Sequence, residues 1–481
     1  MSLRNYISIL LLIIILVLFA YGLFEYKGNI IYYILFSLIS NFSLFYGFRK
    51  NSLFFDNFFG LLIWLGFWFK FTVQIVLMNS MFPEGAGTFD FKPNSYDNVL
   101  ILSSIGVAGF IFGSFLREQF YIYKALEVKN IFFLNFYFNN RKIILILFFL
   151  IIFIFAILNF IFYFYQKGTI PLLVLPFKLN NLFGWMLTFG FASFSSLIIY
   201  FEFISNKKFK CSAIFFGLIE VFISSISLLS RAMIFNGFSL LFGFYRSKEI
   251  FKEKINKKKI TVYFLFLIIL FFISLILVSK IRQARDFPIG HEVHSYIPTI
   301  STSNEVLEET VEEVNKILLD VNQILFLIAG RWVGIEGIMS VYSFSDKGLQ
   351  FFLDSFNEPF NYHNSYYENK VKKSYHTYDK EVQIYTVYTP GLFAYLYYGG
   401  SKIFLFLGVF LMTLFASLIE FIAFKFSRNN LIFASLIGNV IAYRFAHFGY
   451  MPANSYKLIT AILITIFLIS LIMNYKFRKN K

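Results

Sequence analysis

The 481-residue chain has a single cysteine, Cys211, which excludes an intramolecular disulfide and any cysteine-based metal site. Charge is also scarce. Only 15% of the residues are Asp, Glu, Lys or Arg, against about 25% in soluble proteins. No G-x-x-x-x-G-K-[ST] stretch occurs, which excludes nucleotide hydrolysis by a phosphate-binding loop. His291-Glu292-Val293-His294 places its histidines at i and i+3 beside Pro288 and Gly290, not at the i and i+4 of a zinc-protease helix. An acidic D-x-D pattern is missing from the first outer loop, Glu25 to Asn29, and nothing in the sequence calls for a metal or another cofactor.

What is abundant is apolar and aromatic. Hydrophobic residues make up 58% of the chain, with 71 Phe and 31 Tyr, and mean hydropathy is +0.68. No soluble core absorbs that many rings while leaving enough polar surface for water, so most of the chain is expected to meet lipid. A spanning helix needs about 20 mostly apolar residues, because hydrocarbon offers the backbone no hydrogen-bond partner. Twelve such stretches are read, at 6–24, 30–48, 57–78, 98–116, 143–165, 182–204, 212–229, 232–246, 260–279, 402–424, 430–449 and 457–475. The fold class is therefore an all-α polytopic membrane protein of about twelve helices. Its organisation is spans one to nine over 1–279, a large loop over 280–401, and the last three spans over 402–481.

The net charge of +16 follows from topology and not from nucleic-acid binding. One set of short loops and ends holds 24 Lys and Arg, including Arg49, Arg117, Arg141 and Arg246. The opposite set holds only Lys27, Lys92, Lys167, Lys178 and Lys457. The positive-inside rule then predicts both termini in the cytoplasm and the 280–401 loop on the outer face. Within that loop an amphipathic helix is expected from Ser303 to about Ala329, with Glu305, Glu308, Glu309, Glu312 and Glu313 on its wet face. Gly330-Arg331-Trp332-Val-Gly-Ile-Glu336-Gly337 and a second apolar stretch to Phe352 follow. A Tyr- and Lys-rich flap over 361–388 leads to a short aromatic helix opened by Thr389-Pro390-Gly391.

Charges inside or at the rim of a span each cost about 2.5–3.5 kcal/mol on insertion scales, so they point to function. Arg231, Lys280, Arg282, Arg285, Arg331, Arg444 and His447 all fall near the predicted outer boundary. Guanidinium groups at one depth suit a polyanionic head group, because they bind phosphate in a two-pronged way and stay protonated. Most have a structural rival: snorkelling for Arg282 and Arg285, helix capping for Arg231, pairing of Arg444 with Glu220 or Glu420, and a satisfied interfacial histidine for His447. Lys70, inside the third span, has no partner legible in the sequence.

Several of these features together resemble the O-antigen polymerase (Wzy-type) family of bacterial envelopes. They are the spans with both ends inside, the dominant late outer loop, the Ser230-Arg231 break, the Gly330–Gly337 segment and Thr389-Pro390-Gly391. The R-x(10)-G spacing of some members starts at none of Arg231, Arg282, Arg285 or Arg331. The resemblance implies a GT-C-like fold in the bacterial inner membrane. It also implies a metal-independent glycosyltransferase that joins undecaprenyl-diphosphate-linked repeat units on the periplasmic face, alongside a chain-length-regulating membrane protein. Arg231, Arg282, Arg285, Arg331 and Arg444 would then hold the diphosphate, with Glu336 or His447 as general base. Tyr395, Tyr397 and Tyr398 are candidates for stacking on sugar rings, although tyrosine is also favoured at membrane interfaces. An O-antigen ligase and a lipid-linked oligosaccharide flippase are the alternatives.

Overall fold

The computed structural model describes residues 3–78, 80, 82, 86–123, 132–167, 171–205, 212–251, 257–286, 329–330, 332–357, 389–448 and 454–474. Among the described residues the chain is all-helical. Eight helices are long and apolar enough to cross a membrane. They are α2 (Ile30–Gly47), α3 (Phe54–Leu77), α4 (Pro93–Glu118), α6 (Arg141–Phe162), α7 (Pro176–Ile204), α10 (Lys258–Arg282, within the helix Lys257–Asp286), α14 (Lys402–Phe426) and α16 (Ser455–Asn474, within Asn454–Asn474). Shorter apolar helices occur in α1 (Ile9–Glu25, within Leu3–Glu25), α8 (Ala213–Ser227, within Ser212–Ser227) and α15 (Leu431–Ala446). The 18-residue α9 (Ile234–Phe251) completes the helical cover of the twelve apolar stretches read from the sequence. Small helices fill in between: α5 (Phe132–Asn139), α11 (Ile335–Ser343), α12 (Leu349–Asp354) and α13 (Gly391–Tyr397).

Outward faces are greasy: Ile143, Leu147, Leu150 and Ile154 of α6 and Leu265, Ile269, Phe272 and Ile276 of α10 are all exposed, as lipid-facing side chains must be. Interior faces are built from small residues that let backbones approach. Gly109 and Gly113 of α4 sit against the backbone of Phe406 and Phe410 on α14, and Gly243 of α9 against Ile432 of α15. Helix α15 is largely buried, packed among α3, α7, α9 and α14. Buried helix ends carry their own caps. Asn430 accepts from the amides of Ile432 and Phe433, and Glu420 of α14 accepts from Phe54 N (2.8 Å) and Phe55 N (2.6 Å) at the start of α3. An anionic group suits the partial positive charge of a helix N-terminus.

One end of the bundle is tied by charge pairs. Asp56 is paired with Arg117 and Arg49, Arg49 with Glu118, and Arg141 with Glu202. Arg246 of α9 donates to the carbonyl of Ser52. Arg49, Arg117, Arg141 and Arg246, four of the cations counted in the sequence, stand here. The described part of 280–401 does not stand apart from the bundle: Ile335, Ile338, Met339, Phe351, Leu392 and Phe393 belong to the same hydrophobic core as the long helices. The predicted helix from Ser303 to Ala329 and the 361–388 flap lie outside the described residues, apart from Ala329 itself. Gly391 opens α13 with φ +82, a conformation that favours glycine, and its amide donates to Phe448 O.

Candidate functional site

At the other end of the bundle, two chain turns are stitched to α10 by one guanidinium. In the turn after α8, Leu229 is in the left-handed region at φ 50, and its carbonyl faces Arg282 of α10. Arg282 donates to that carbonyl from Nε (3.0 Å) and Nη2 (2.7 Å), and from Nη2 to Lys167 O (3.0 Å). Lys167 N in turn donates to Leu228 O. Asn159, near the end of α6, holds the neighbouring backbone by donating to Ser227 O and accepting from Tyr165 N. Arg282 is therefore held by protein carbonyls, where the snorkelling reading would have sent it to lipid phosphate. A left-handed leucine is costly, and three charge-assisted bonds offset that cost.

The end of α15 meets this junction. Tyr443 lies within the electric field of both Arg282 and Arg444. His447 lies within that of Lys167 and Arg444, and Lys167 within that of Arg444. Arg444 stands over the Phe448 ring at 5.7 Å. His447 stacks on Tyr443 with ring centroids 4.1 Å apart. Its Nδ1 is 3.1 Å from the Tyr443 carbonyl. A carbonyl only accepts, so Nδ1 carries the proton and Nε2 is left as an acceptor. Burial, with the Arg444 charge beside it, pulls the Lys167 ammonium from 10.5 down to about 8.

Of the residues singled out in the sequence, Arg282, Arg444 and His447 thus converge. Arg231 begins a short 3₁₀ turn two positions after Leu229 and is half-buried. Arg285 falls in the last turn of α10, and its side chain lies outside the described residues, as does the whole of Arg331. Lys167 and Tyr443 were not picked out as site residues. The signal for Lys167 was present: it is one of only five cations in the short outer loops of the predicted topology.

Glu336 is directed elsewhere. It is fully buried, with Lys70 Nζ 2.8 Å from Oε2 and Gln74 Nε2 2.9 Å from Oε1. Lys70 therefore has the partner that the sequence did not reveal, and also donates to Trp332 O (2.8 Å). This lock fastens the Gly330–Gly337 segment to α3 beside a π-helical turn, Leu65–Phe69, a local widening common at functional sites. Gly66 in that turn touches the backbone of Val333 and Gly334. The gap left between Phe67, Val333, Gly391, Phe445 and Ala446 is apolar and measures about 10 Å3, room for about one water and not for a sugar.

Two further expectations are corrected. Neither carboxylate offered as a partner for Arg444 reaches it in the described interactions: Glu420 takes Tyr123 Oη and the α3 amides, and Glu220 takes Ser224 Oγ. The tyrosines offered for sugar stacking are core residues. Tyr395, Tyr397 and Tyr398 are buried, with Tyr395 bonded to Ser355 and packed on Phe448, and Tyr398 packed on Phe351.

Comparison of the chain with known protein families, with curated proteins and with solved structures finds no match.

Proposed function

We propose that the Arg282 end of the bundle grips the diphosphate of a lipid-linked glycan, and that the chain is a metal-independent polysaccharide polymerase of the O-antigen polymerase kind. The observation that carries this reading is the grouping of Lys167, Arg282, Arg444 and His447 around Tyr443, where α10, α15 and the loop after α6 meet. In this reading the chain crosses the bacterial inner membrane twelve times in a GT-C-like arrangement. Both termini are cytoplasmic and the cation group faces the periplasm.

Block transfer then proceeds from positions the protein already holds. An acceptor hydroxyl on one lipid-linked repeat unit attacks the anomeric carbon of a glycan on undecaprenyl diphosphate. The bond from that carbon to the diphosphate oxygen breaks, and the electron pair leaves with the diphosphate. Fixed cations stabilise the charge that grows on the leaving oxygen. His447 Nε2 takes the proton of the attacking hydroxyl. Lipid anchors hold both substrates at one depth, which removes much of the entropic cost of bringing them together. Glu336, bound to Lys70, acts as a positioning residue for the segment that carries Arg331 and Trp332.

Gene deletion followed by gel analysis of the surface glycan tests the assignment. A polymerase deletion leaves lipid A–core bearing one repeat unit. Long chains stranded on the carrier lipid would instead indicate a ligase. Single repeats trapped inside the cell would indicate a flippase.

A further inference from the structure

Among the described residues six carboxylates are buried: Asp56, Asp97, Glu202, Glu220, Glu336 and Glu420. Five have the partners an ionised carboxylate needs. Asp56, Glu202 and Glu336 face Arg117, Arg141 and Lys70. Asp97 accepts from Tyr26 Oη and Asn29 N, and Glu420 from two helix-terminal amides and Tyr123. Glu220 is the exception. It stands near the midpoint of α8, 1% exposed. Ser224 Oγ donates to Oε1 at 3.0 Å, while Oε2 has no hydrogen bond of ordinary geometry. Facing it from α7 is Ser195, 3% exposed, whose Oγ is likewise without one.

Helix α8 packs on α6, α7, α9 and α10. Their described charged and titratable groups include Arg141, Glu202, Arg246, Tyr263 and Arg282, and none of these acts on Glu220. An ionised carboxylate buried without a cation is far costlier than a neutral one. The Ser195 hydroxyl has a hydrogen of its own and can donate to Oε2 in either state of the carboxyl, so the missing countercharge is what decides. A proton on Oε2, donated to Ser195 Oγ, removes the buried charge and keeps the bond between the two oxygens. A hard metal cation fits less well, because such ions take six or more oxygens, and among the described residues the side-chain oxygens that interact with Glu220 are those of Ser224 and Ser195.

We infer that Glu220 is a proton-binding site inside the bundle, holding an exchangeable hydrogen as a carboxylic acid bonded to Ser195. Nothing in the glycan-transfer reading uses this group, and its ligand is a proton taken from solution.

Infrared difference spectroscopy on the purified full chain, wild type minus Glu220→Gln, tests this. All other carboxyl groups cancel in the difference. The expected result is a carboxylic-acid C=O band at neutral pH that shrinks reversibly as pH is raised, before the helical amide signal changes. Ser195→Ala should shift that band to higher frequency by removing its hydrogen-bond partner, without abolishing it. A merely structural serine would leave the frequency unchanged. Ionised-carboxylate bands at neutral pH would overturn the proposal, as would an acid band that persists until the protein unfolds. If sodium but not potassium converts the band to a carboxylate, the site binds sodium and the proton assignment fails.

Discussion

Lys70 Nζ stands 2.8 Å from Glu336 Oε2, and both side chains are wholly buried although 266 positions separate them in the chain. Removing one member leaves a buried charge without compensation, at a cost of about 3–5 kcal/mol, whereas an apolar pair of similar volume is tolerated far better. Lys70→Ala and Glu336→Ala are therefore each expected to destabilise strongly, and Lys70→Met with Glu336→Leu much less. Denaturant unfolding in detergent micelles measures this. Additive effects in the double variant would mean the two side chains do not form a pair.

Gly66 gives a second handle on the same contact. A methyl group on its Cα would fall inside the van der Waals envelope of Val333 O and Gly334. Backbone atoms yield less readily than side-chain tips, so Gly66→Ala is expected to cost about 1–3 kcal/mol and to loosen the Gly330–Gly337 segment. Limited proteolysis should then cut near Val333 faster than in wild type. Unchanged cleavage and stability would show that the segment is not seated on α3.

The helices were legible because hydrocarbon forces the backbone to bond within itself, and that leaves long apolar runs in the sequence. Each stretch read as a span is helical over most of its described residues. The partners were not legible. Lys70 with Glu336, and Arg282 with the Leu229 carbonyl, are set by tertiary approach across distant helices, which no local pattern encodes. Arg444 and His447 were found because a charge in an apolar run stands out. Lys167 was counted with its loop and passed over, because a loop lysine is ordinary until burial makes it otherwise. The aromatic segment Tyr395–Tyr398 looked interfacial by composition, yet it is packed into the core.

Lys167 should make the cation group sensitive to pH. Its depressed value near 8 means that the folded chain releases this proton at lower pH than the unfolded chain does. Between about pH 8 and 10.5 the unfolded chain binds more protons, so this residue's contribution makes stability rise with pH across that window. Anion binding should do the opposite and weaken above pH 8 as the ammonium is lost. Lys167→Gln is expected to flatten both dependences in parallel titrations of unfolding and pyrophosphate binding. A pH profile identical to wild type would show that Lys167 does not titrate there.

Arg282 uses two nitrogens on two carbonyls, a fork that a lysine ammonium does not reproduce. Arg282→Lys is expected to lose stability despite keeping its charge, by about 1.5–3 kcal/mol for the charged hydrogen bonds given up. Arg231→Ala is expected to abolish polymer while the protein still inserts at normal level. Immunoblots of membranes beside glycan gels separate the two effects. Wild-type polymer from Arg231→Ala at normal abundance would remove that residue from the site.

The most direct measurement is binding of an undecaprenyl-diphosphate-linked repeat unit to the purified protein, wild type against Arg444→Ala and Arg444→Lys, across a salt series. The account predicts salt-sensitive binding by wild type and about 10- to 100-fold weaker binding by the alanine variant, the loss of one charged hydrogen bond. Lysine should restore only part of it. Equal affinity for all three proteins, or binding indifferent to salt, would contradict the account.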